Sequence, residues 1–455
     1  MTTNTRLAFT AIVAAMLPAV LDQTILATAL PTIAADLGRL TDLSWVVTAY
    51  VVAATASTPL WGKLGDRHGR KRLLEVALAV FVSASALCGI AQTMTELILV
   101  RAVQGVAAGG LMTLAMATVG DLVAPRERGR YQGYIAATFA AATVLGPLVG
   151  GLLVQGPGWR WVFYVNLPVG IAALLGLRLR LPAAAVDGPS RPLDIVGAAL
   201  LAAATSAFML VCVWGGDRYA WDSPATVALI GATVVLGGAL FARERRAEDP
   251  IVPVALLRTR SVAVASGALF LGTASLFAVT VFVPLFLQTA TGATPTEAGL
   301  LLAPMMLATT ASTMVSGRLI ERTGRYKRFP IIGLALMALA LVVLAAAAGD
   351  PSRVTTGLGL AVFGAGFGMV TQVLVVAVQN SVDRRELGVA TAATGFFRAL
   401  GGAVGAATLG AVFAAHADDG IADAVQSVFI VAAPLAALAL LAVLRLPETP
   451  LKTRA

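Results

Sequence analysis

Charge is scarce in this sequence. Only 13% of its 455 residues are Asp, Glu, Lys or Arg, about half the share of a soluble domain. With 58% hydrophobic residues and a mean hydropathy of +0.85, that scarcity excludes an ordinary water-soluble globule. Two cysteines and two histidines leave little for a disulfide framework or a metal centre. Cys88 and Cys212 both fall within apolar runs and read as packing residues, and neither His68 nor His416 has a partner at metal-ligand spacing. The chain also lacks a Gly-x-x-x-x-Gly-Lys-Ser/Thr loop and a nucleophile motif, which argues against an ATP-driven pump and a membrane enzyme. No cofactor is expected. Acids are the rarer sign, 24 against 33 Lys and Arg, for a net charge of +9. Such a balance can signal nucleic acid. Here the cations sit in short breaks between apolar runs, so nucleic acid is not an expected partner.

Long apolar runs, by contrast, are plentiful. Segments of about 20 residues, the length that crosses a bilayer, fall at roughly 8–30, 43–61, 73–93, 97–119, 131–154, 161–180, 194–214, 224–241, 262–288, 297–317, 329–348, 354–379, 388–415 and 426–446. The expectation is an all-α membrane protein of fourteen transmembrane helices. The first run begins after Arg6 and continues past Pro18 to about Leu30, too long for the apolar core of a cleavable signal. With a cytoplasmic N-terminus, the outside breaks hold only Arg39, Arg160, Arg218 and Arg353, and the last of them is acidic with Asp418, Asp419 and Asp423. The remaining loop cations then fall inside, which fits an even helix count with both termini cytoplasmic. High alanine content and a preference for Arg over Lys point to a bacterial cell (inner) membrane.

One stretch organises the chain. Gly62-Lys63-Leu64-Gly65-Asp66-Arg67-His68-Gly69-Arg70-Lys71-Arg72-Leu73-Leu74 places five cations and one acid in a glycine-jointed turn between two spans. Gly317-Arg318-Leu319-Ile320-Glu321-Arg322-Thr323-Gly324-Arg325 repeats it at an offset of 317 − 62 = 255 residues, with Gly62, Asp66, Arg67, Gly69 and Arg70 falling on Gly317, Glu321, Arg322, Gly324 and Arg325. A topogenic role explains the cations but not the placed acids, so a gating role is expected. Gly146 and Gly151 likewise fall on Gly405 and Gly410, at an offset of 259. The repeat divides the chain into a six-helix half at 1–182, two linker helices at 183–250 and a second six-helix half at 251–455. Two parallel halves with a site between them are a transporter plan.

Three charged residues stand inside spans. Asp22, in Leu21-Asp22-Gln23-Thr24, is the one acid placed well within a span. An intramembrane carboxylate is costly and marks a proton or substrate site unless it is permanently paired. Asp22 lies about 22 Å from the inner face at about 1.5 Å per residue. Arg101 is about five residues into a span that begins outside, so both lie in the outer half of a core about 30 Å thick and can pair. Arg398, about ten residues into its span, serves either an anionic substrate or backbone carbonyls. Gly146-Pro147 followed by Gly150-Gly151 gives a bent helix that a neighbour can approach closely.

These residues resemble the major facilitator superfamily, and within it the fourteen-helix drug:proton antiporters. The Gly62–Leu74 loop looks like the superfamily's signature between helices 2 and 3. Leu99-Val100-Arg101-Ala102-Val103-Gln104-Gly105 resembles the helix 4 motif of proton transfer, and Gly146-Pro147-Leu148-Val149-Gly150-Gly151 the helix 5 antiporter motif. Leu21-Asp22-Gln23-Thr24 with Ala29-Leu30-Pro31, and Trp159-Arg160-Trp161-Val162-Phe163-Tyr164-Val165-Asn166-Leu167-Pro168, are similar to signatures of the fourteen-helix group. Many relatives have Asn where this chain has Ala27. The resemblance implies alternating access, with Asp66 against the N-terminus of span 13 near Gly388 and Arg70 and Asp121 completing a latch. It further implies a monomer in the lipid bilayer that exchanges protons for amphipathic, drug-like compounds. A buried acid in an apolar cavity suits cationic ones. The alternatives are a dedicated exporter of one metabolite, antibiotic or lipid, and a transport-dead sensor or scaffold.

Overall fold

The computed structural model describes residues 3–38, 43–182, 193–216, 218–290, 292, 297, 300–349, 352–448 and 451. Among these, the chain forms long helices and no β-strand. They are α1 (Thr3–Leu37), α2 (Leu43–His68), α3 (Arg70–Ile90), α4 (Met94–Leu122), α5 (Arg128–Gln155), α6 (Trp161–Arg180, broken at Val165), α7 (Ile195–Trp214) and α8 (Pro224–Glu244). After these come α9 (Arg260–Ala290, with a π-helical turn at Ala278–Phe282), α10 (Ala303–Thr323), α11 (Arg328–Gly349), α12 (Arg353–Ser381), α13 (Leu387–Ala415) and α14 (Ile421–Leu444). Arg39, expected in an outside break, and Arg191, Lys452 and Arg454, which the same charge pattern puts inside, lie outside the described residues.

Among the described residues, twelve helices are long and apolar enough to cross a membrane. The expected fourteen is therefore not reached on that measure, and α2 and α10 are the two that fall short. The reason is local. Helix α2 carries Thr48, Thr55, Ser57, Thr58 and Pro59 ahead of Lys63, and α10 carries Thr309, Thr310, Ser312, Thr313 and Ser316 ahead of Arg318, Glu321 and Arg322.

Helix ends are set by local chemistry. Thr93 accepts the Glu96 N–H at 3.2 Å while the Glu96 carboxylate accepts the Gln92 N–H at 2.9 Å, a reciprocal cap that starts α4. Ser223 and Ser352 cap α8 and α12 in the same sense, and Asp194 caps α7. Gly69, at φ 89°, makes the turn from α2 into α3, a left-handed conformation that favours glycine.

The helices alternate between two ends of the molecule. At the end holding the Gly62–Leu74 loop, Lys327 Nζ donates to the Leu444 carbonyl at 2.9 Å. At the far end, Arg160 pairs with Asp36 at 2.9 Å and Trp45 meets Trp214 edge-on at 4.7 Å. Buried apolar side chains of α1–α6 form their own cores, and those of α9–α14 form another. Helix α7 lies across the seam between them, its Met209 and Cys212 against Ala403 of α13 and Val51 and Val52 of α2. Helix α8 sits outside α7, with only 6% of its apolar window buried. The two are tied by Arg243 donating to Asp194 at 3.0 Å, and this cation, with the hydrogen bond it gives, holds the Asp194 carboxyl below its usual range.

Candidate functional site

At the loop end, Asp66 bridges the two halves. Its Oδ1 and Oδ2 accept the backbone N–H groups of Gly388 and Val389, each at 2.9 Å, at the start of α13. The helix dipole favours a carboxylate at that position. Arg70 holds the same carboxylate at 2.5 Å, pairs with Asp121, and reaches the Arg384 carbonyl at 3.2 Å. Glycines make the approach possible. A Cβ on Gly62 would stand 2.7 Å from the Gly388 carbonyl, and one on Gly388 would stand 2.3 Å from Asp66 Oδ1. Asp66, Arg70 and Asp121 thus come together as the resemblance implies. Arg67 does not join them, since its Nε and Nη1 are buried without a partner among the described residues.

The second copy of the loop makes the related contact with different chemistry. A Cβ on Gly317 would lie 2.2 Å from the Gly129 carbonyl of α5, and 129 + 259 = 388, so the glycine pair recurs. Glu321, however, pairs with the Arg130 side chain at 3.1 Å, and Arg126 donates to the carbonyls of Glu321 and Arg322 at 2.8 and 2.9 Å. One copy is a buried helix cap. The other is a half-exposed ion pair.

Asp22 and Arg101 are also brought together, 2.5 Å apart and 0% and 1% exposed. Gln104 and Asn166 donate to Asp22 at 3.0 and 3.1 Å, and both also donate to Ser85, at 2.7 and 3.2 Å. Arg101 donates further to Gln104 Oε1 at 2.6 Å and to the Val46 carbonyl at 3.2 Å, with its guanidinium 4.2 Å from the centre of the Tyr50 ring. A buried charge needs this degree of satisfaction. The sequence reading missed Ser85, Tyr50, Gln104 and Asn166. For Gln104 a signal existed, because it stands one helical turn from Arg101.

The helix 5 motif serves this network from behind. A Cβ on Gly146 would lie 2.0 Å from Thr24 Oγ1, and one on Gly150 would lie 2.2 Å from Thr28 Oγ1, so α5 rests directly on the α1 segment that carries Asp22. Pro147 stands within α5 between these contacts. Gly151 has nothing within 4 Å and takes no part in the packing. Gly146→Val is expected to destabilise the protein by about 1–3 kcal/mol, the usual effect of overpacking, and Gly151→Val by much less. Thermal unfolding of the two variants in detergent checks this, and equal midpoints would refute it.

A cavity of about 280 Å³ lies between the halves, lined by Gln23, Tyr50 and Met112 from the first and by Gln372, Thr391 and Arg398 from the second. A second, of about 330 Å³, shares Phe139, Gln372 and Arg398 with it and extends towards Met305, Thr309 and Thr313. Tyr50 stands between the cavity and the Asp22–Arg101 pair. The expected lone acid in the cavity is therefore not found: Asp22 is neutralised by Arg101 and closed off, while Arg398 faces the cavity instead.

Two helical cores meeting at an internal cavity, tied across one end by Asp66 and Arg70, match the two-half transporter plan. The chain belongs to the Major Facilitator Superfamily, whose model matches residues 12–406. It is 43% identical over 422 residues to an uncharacterized MFS-type transporter of Mycobacterium tuberculosis, covering 92% of this chain and 61% of that protein. The chain thus spans about three-fifths of that relative's length. It is 35% identical over 417 residues to the multidrug transporter protein MdtP of Bacillus subtilis, covering 92% of this chain and 77% of the relative. Among solved structures, the human organic anion transporter MFSD10 (TM-score 0.73, 18% identity) covers 97% of this chain and 100% of its own. The proton:xylose symporter XylE (TM-score 0.72, 15% identity) covers 99% and 98%. These two share the fold. Its family and its long apolar helices place it among multi-pass membrane proteins.

Proposed function

We propose that the protein is a proton-coupled antiporter that exports amphipathic compounds by alternating access, as a monomer in a bacterial inner membrane with both termini cytoplasmic. The observation that carries this is the cavity lined from both halves and latched at one end by Asp66 on the start of α13. In this reading the latched end is cytoplasmic and the halves are 1–182 and 251–455. Helices α2 and α10 also span the bilayer, with hydroxyls such as Ser57, Thr309 and Thr313 bonded to carbonyls of neighbouring helices rather than turned to lipid. The multidrug names of bacterial relatives support an amphipathic substrate. The buried carboxylate of Asp22 is the proton site, because protonating it would release Arg101, Gln104 and Asn166 together and so favour another arrangement of the first half.

Everted vesicles with an imposed acid-inside gradient test this. Cationic and anionic dyes and candidate antibiotics are added while a pH probe follows the gradient. Collapse in wild type but not in Asp22→Asn is the expected result. A gradient that no compound discharges, or one that Asp22→Asn discharges equally well, would overturn the proton role.

A further inference from the structure

We propose that the paired cavities bind amphipathic anions, aromatic carboxylates or sulfonates, with Arg398 as their counter-charge and Phe139 as their ring-stacking face. The inference rests on the cavity being the transport site and adds the charge of what it carries.

The charge inventory of the cavity comes first. Its polar lining is otherwise neutral, made of residues such as Gln23, Thr58, Thr113, Gln372 and Thr394, and the one charged side chain lining either cavity among the described residues is Arg398. An arginine stays protonated in any such setting. Arg398 stands eleven residues past Leu387, the first residue of α13, so at about 1.5 Å per residue it is about 16 Å along the helix, near the middle of the membrane. Thr391, Thr394, Gly395 and Arg398 recur at helical spacing and line the same cavity, so Arg398 belongs to the inward face of α13. It is deep in the molecule yet exposed, because it looks into the void. No carboxylate or carbonyl bonds it among the described residues. Of the two roles open to it, carbonyl contact is not seen.

A cation at that depth is costly unless something compensates it. Asp22, the intramembrane acid, is already held by Arg101 behind Tyr50. The compensating charge must come with the ligand. A carboxylate or sulfonate matches the planar fork of a guanidinium, which can bind it through two parallel bonds. A cationic ligand in the same space would meet an unscreened like charge.

The internal repeat supplies the second element. Since 398 − 139 = 259, the offset that relates Gly146 to Gly405, Phe139 of α5 is the counterpart of Arg398 in the first half, and both residues line both cavities. Duplication has placed a ring and a guanidinium at corresponding points of the two halves. The side-chain oxygen of Gln372, also shared by the cavities, is buried without a partner and can accept a ligand hydroxyl or amide N–H. An aromatic anion bearing a donor group answers all three.

The test uses two dyes on one ring system, anionic fluorescein and cationic rhodamine 123. Binding to the purified protein in a neutral sugar-headgroup detergent is read by fluorescence anisotropy. Wild type is expected to bind fluorescein at least tenfold more tightly than rhodamine 123. Arg398→Gln is expected to weaken fluorescein at least tenfold without weakening rhodamine 123, and Arg398→Lys to bind fluorescein less tightly than wild type but still in preference to rhodamine 123, which separates loss of charge from loss of fold. A preference for rhodamine 123, absence of fluorescein binding, or an unchanged affinity in Arg398→Gln would each overturn the proposal. Uptake into proteoliposomes under a pH gradient separates this from the transport reading. Fluorescein bound through Arg398 while neither it nor any other tested compound is moved would sink antiport and leave the anion site standing. Rhodamine 123 moved, with fluorescein neither bound nor moved, would do the reverse.

Discussion

Arg101→Ala is expected to destabilise the protein by about 3–5 kcal/mol, the effect of stranding one member of a buried ion pair. Asp22 would remain fully buried with only Gln104 and Asn166, at 3.0 and 3.1 Å, to satisfy it. Removing both charges is a different matter. A double variant, Asp22→Asn with Arg101→Met, strands no ion, keeps an amide for Gln104 and Asn166 to meet, and leaves an unbranched chain against Tyr50. It is expected to be more stable than Arg101→Ala, because the two sites are coupled and their effects do not add. Unfolding midpoints of the three variants in one detergent decide the matter. An Arg101→Ala protein as stable as wild type would mean the pair contributes nothing. The double variant also separates folding from function, since it removes the proton site of the proposed antiport while keeping the protein folded.

Asp66→Asn is expected to open the latch. The carboxylate receives two backbone N–H groups at 2.9 Å from the start of α13, and hydrogen bonds to a charged group contribute about 1.5–3 kcal/mol each. An asparagine keeps one acceptor and turns an NH₂ donor towards a second donor, so one bond is lost and the dipole interaction with it. A loss of about 3 kcal/mol shifts a two-state balance about a hundredfold. Arg70 would remain with Asp121, so the first half should stay intact while α13 parts from it and takes the Arg384 carbonyl away from Arg70. Spin labels at the exposed positions Arg72 and Glu386, one on each side of the latch, measure this directly. A distance distribution that gains a longer population is the expected outcome, and one identical to wild type would refute the latch.

Much of this arrangement was legible in the residues, and for identifiable reasons. The latch could be read in part because its signal is local: a short glycine-jointed stretch carries Gly62, Asp66 and Arg70, while Gly388 and Asp121 came from the family resemblance alone. Asp22 and Arg101 could be matched because depth along a span follows from counting residues. What counting cannot supply is rotation about each helix axis. That is why Ser85, Asn166 and Tyr50, on three other helices, were invisible as partners, and why Asp22 was expected in the cavity when it lies behind Tyr50. The helix count has the same root. Hydropathy averages over a helix and scores α2 and α10 low for polar residues that bond neighbouring helices, as Ser57 bonds the Val106 carbonyl of α4 and Thr309 and Thr313 bond the Gly364 and Gly368 carbonyls of α12.

The two cysteines occupy two different working parts of the molecule. The Cys88 thiol donates to Gln104 Oε1 at 3.6 Å, inside the charge network. Cys212 lies in the seam where α7 touches α2 and α13. Both are buried in the latched form. Their alkylation rates are therefore two independent clocks built into the native chain, one timing the opening of the charge network and the other the parting of the halves. A chain with more cysteines would first have to lose them before either clock could be read.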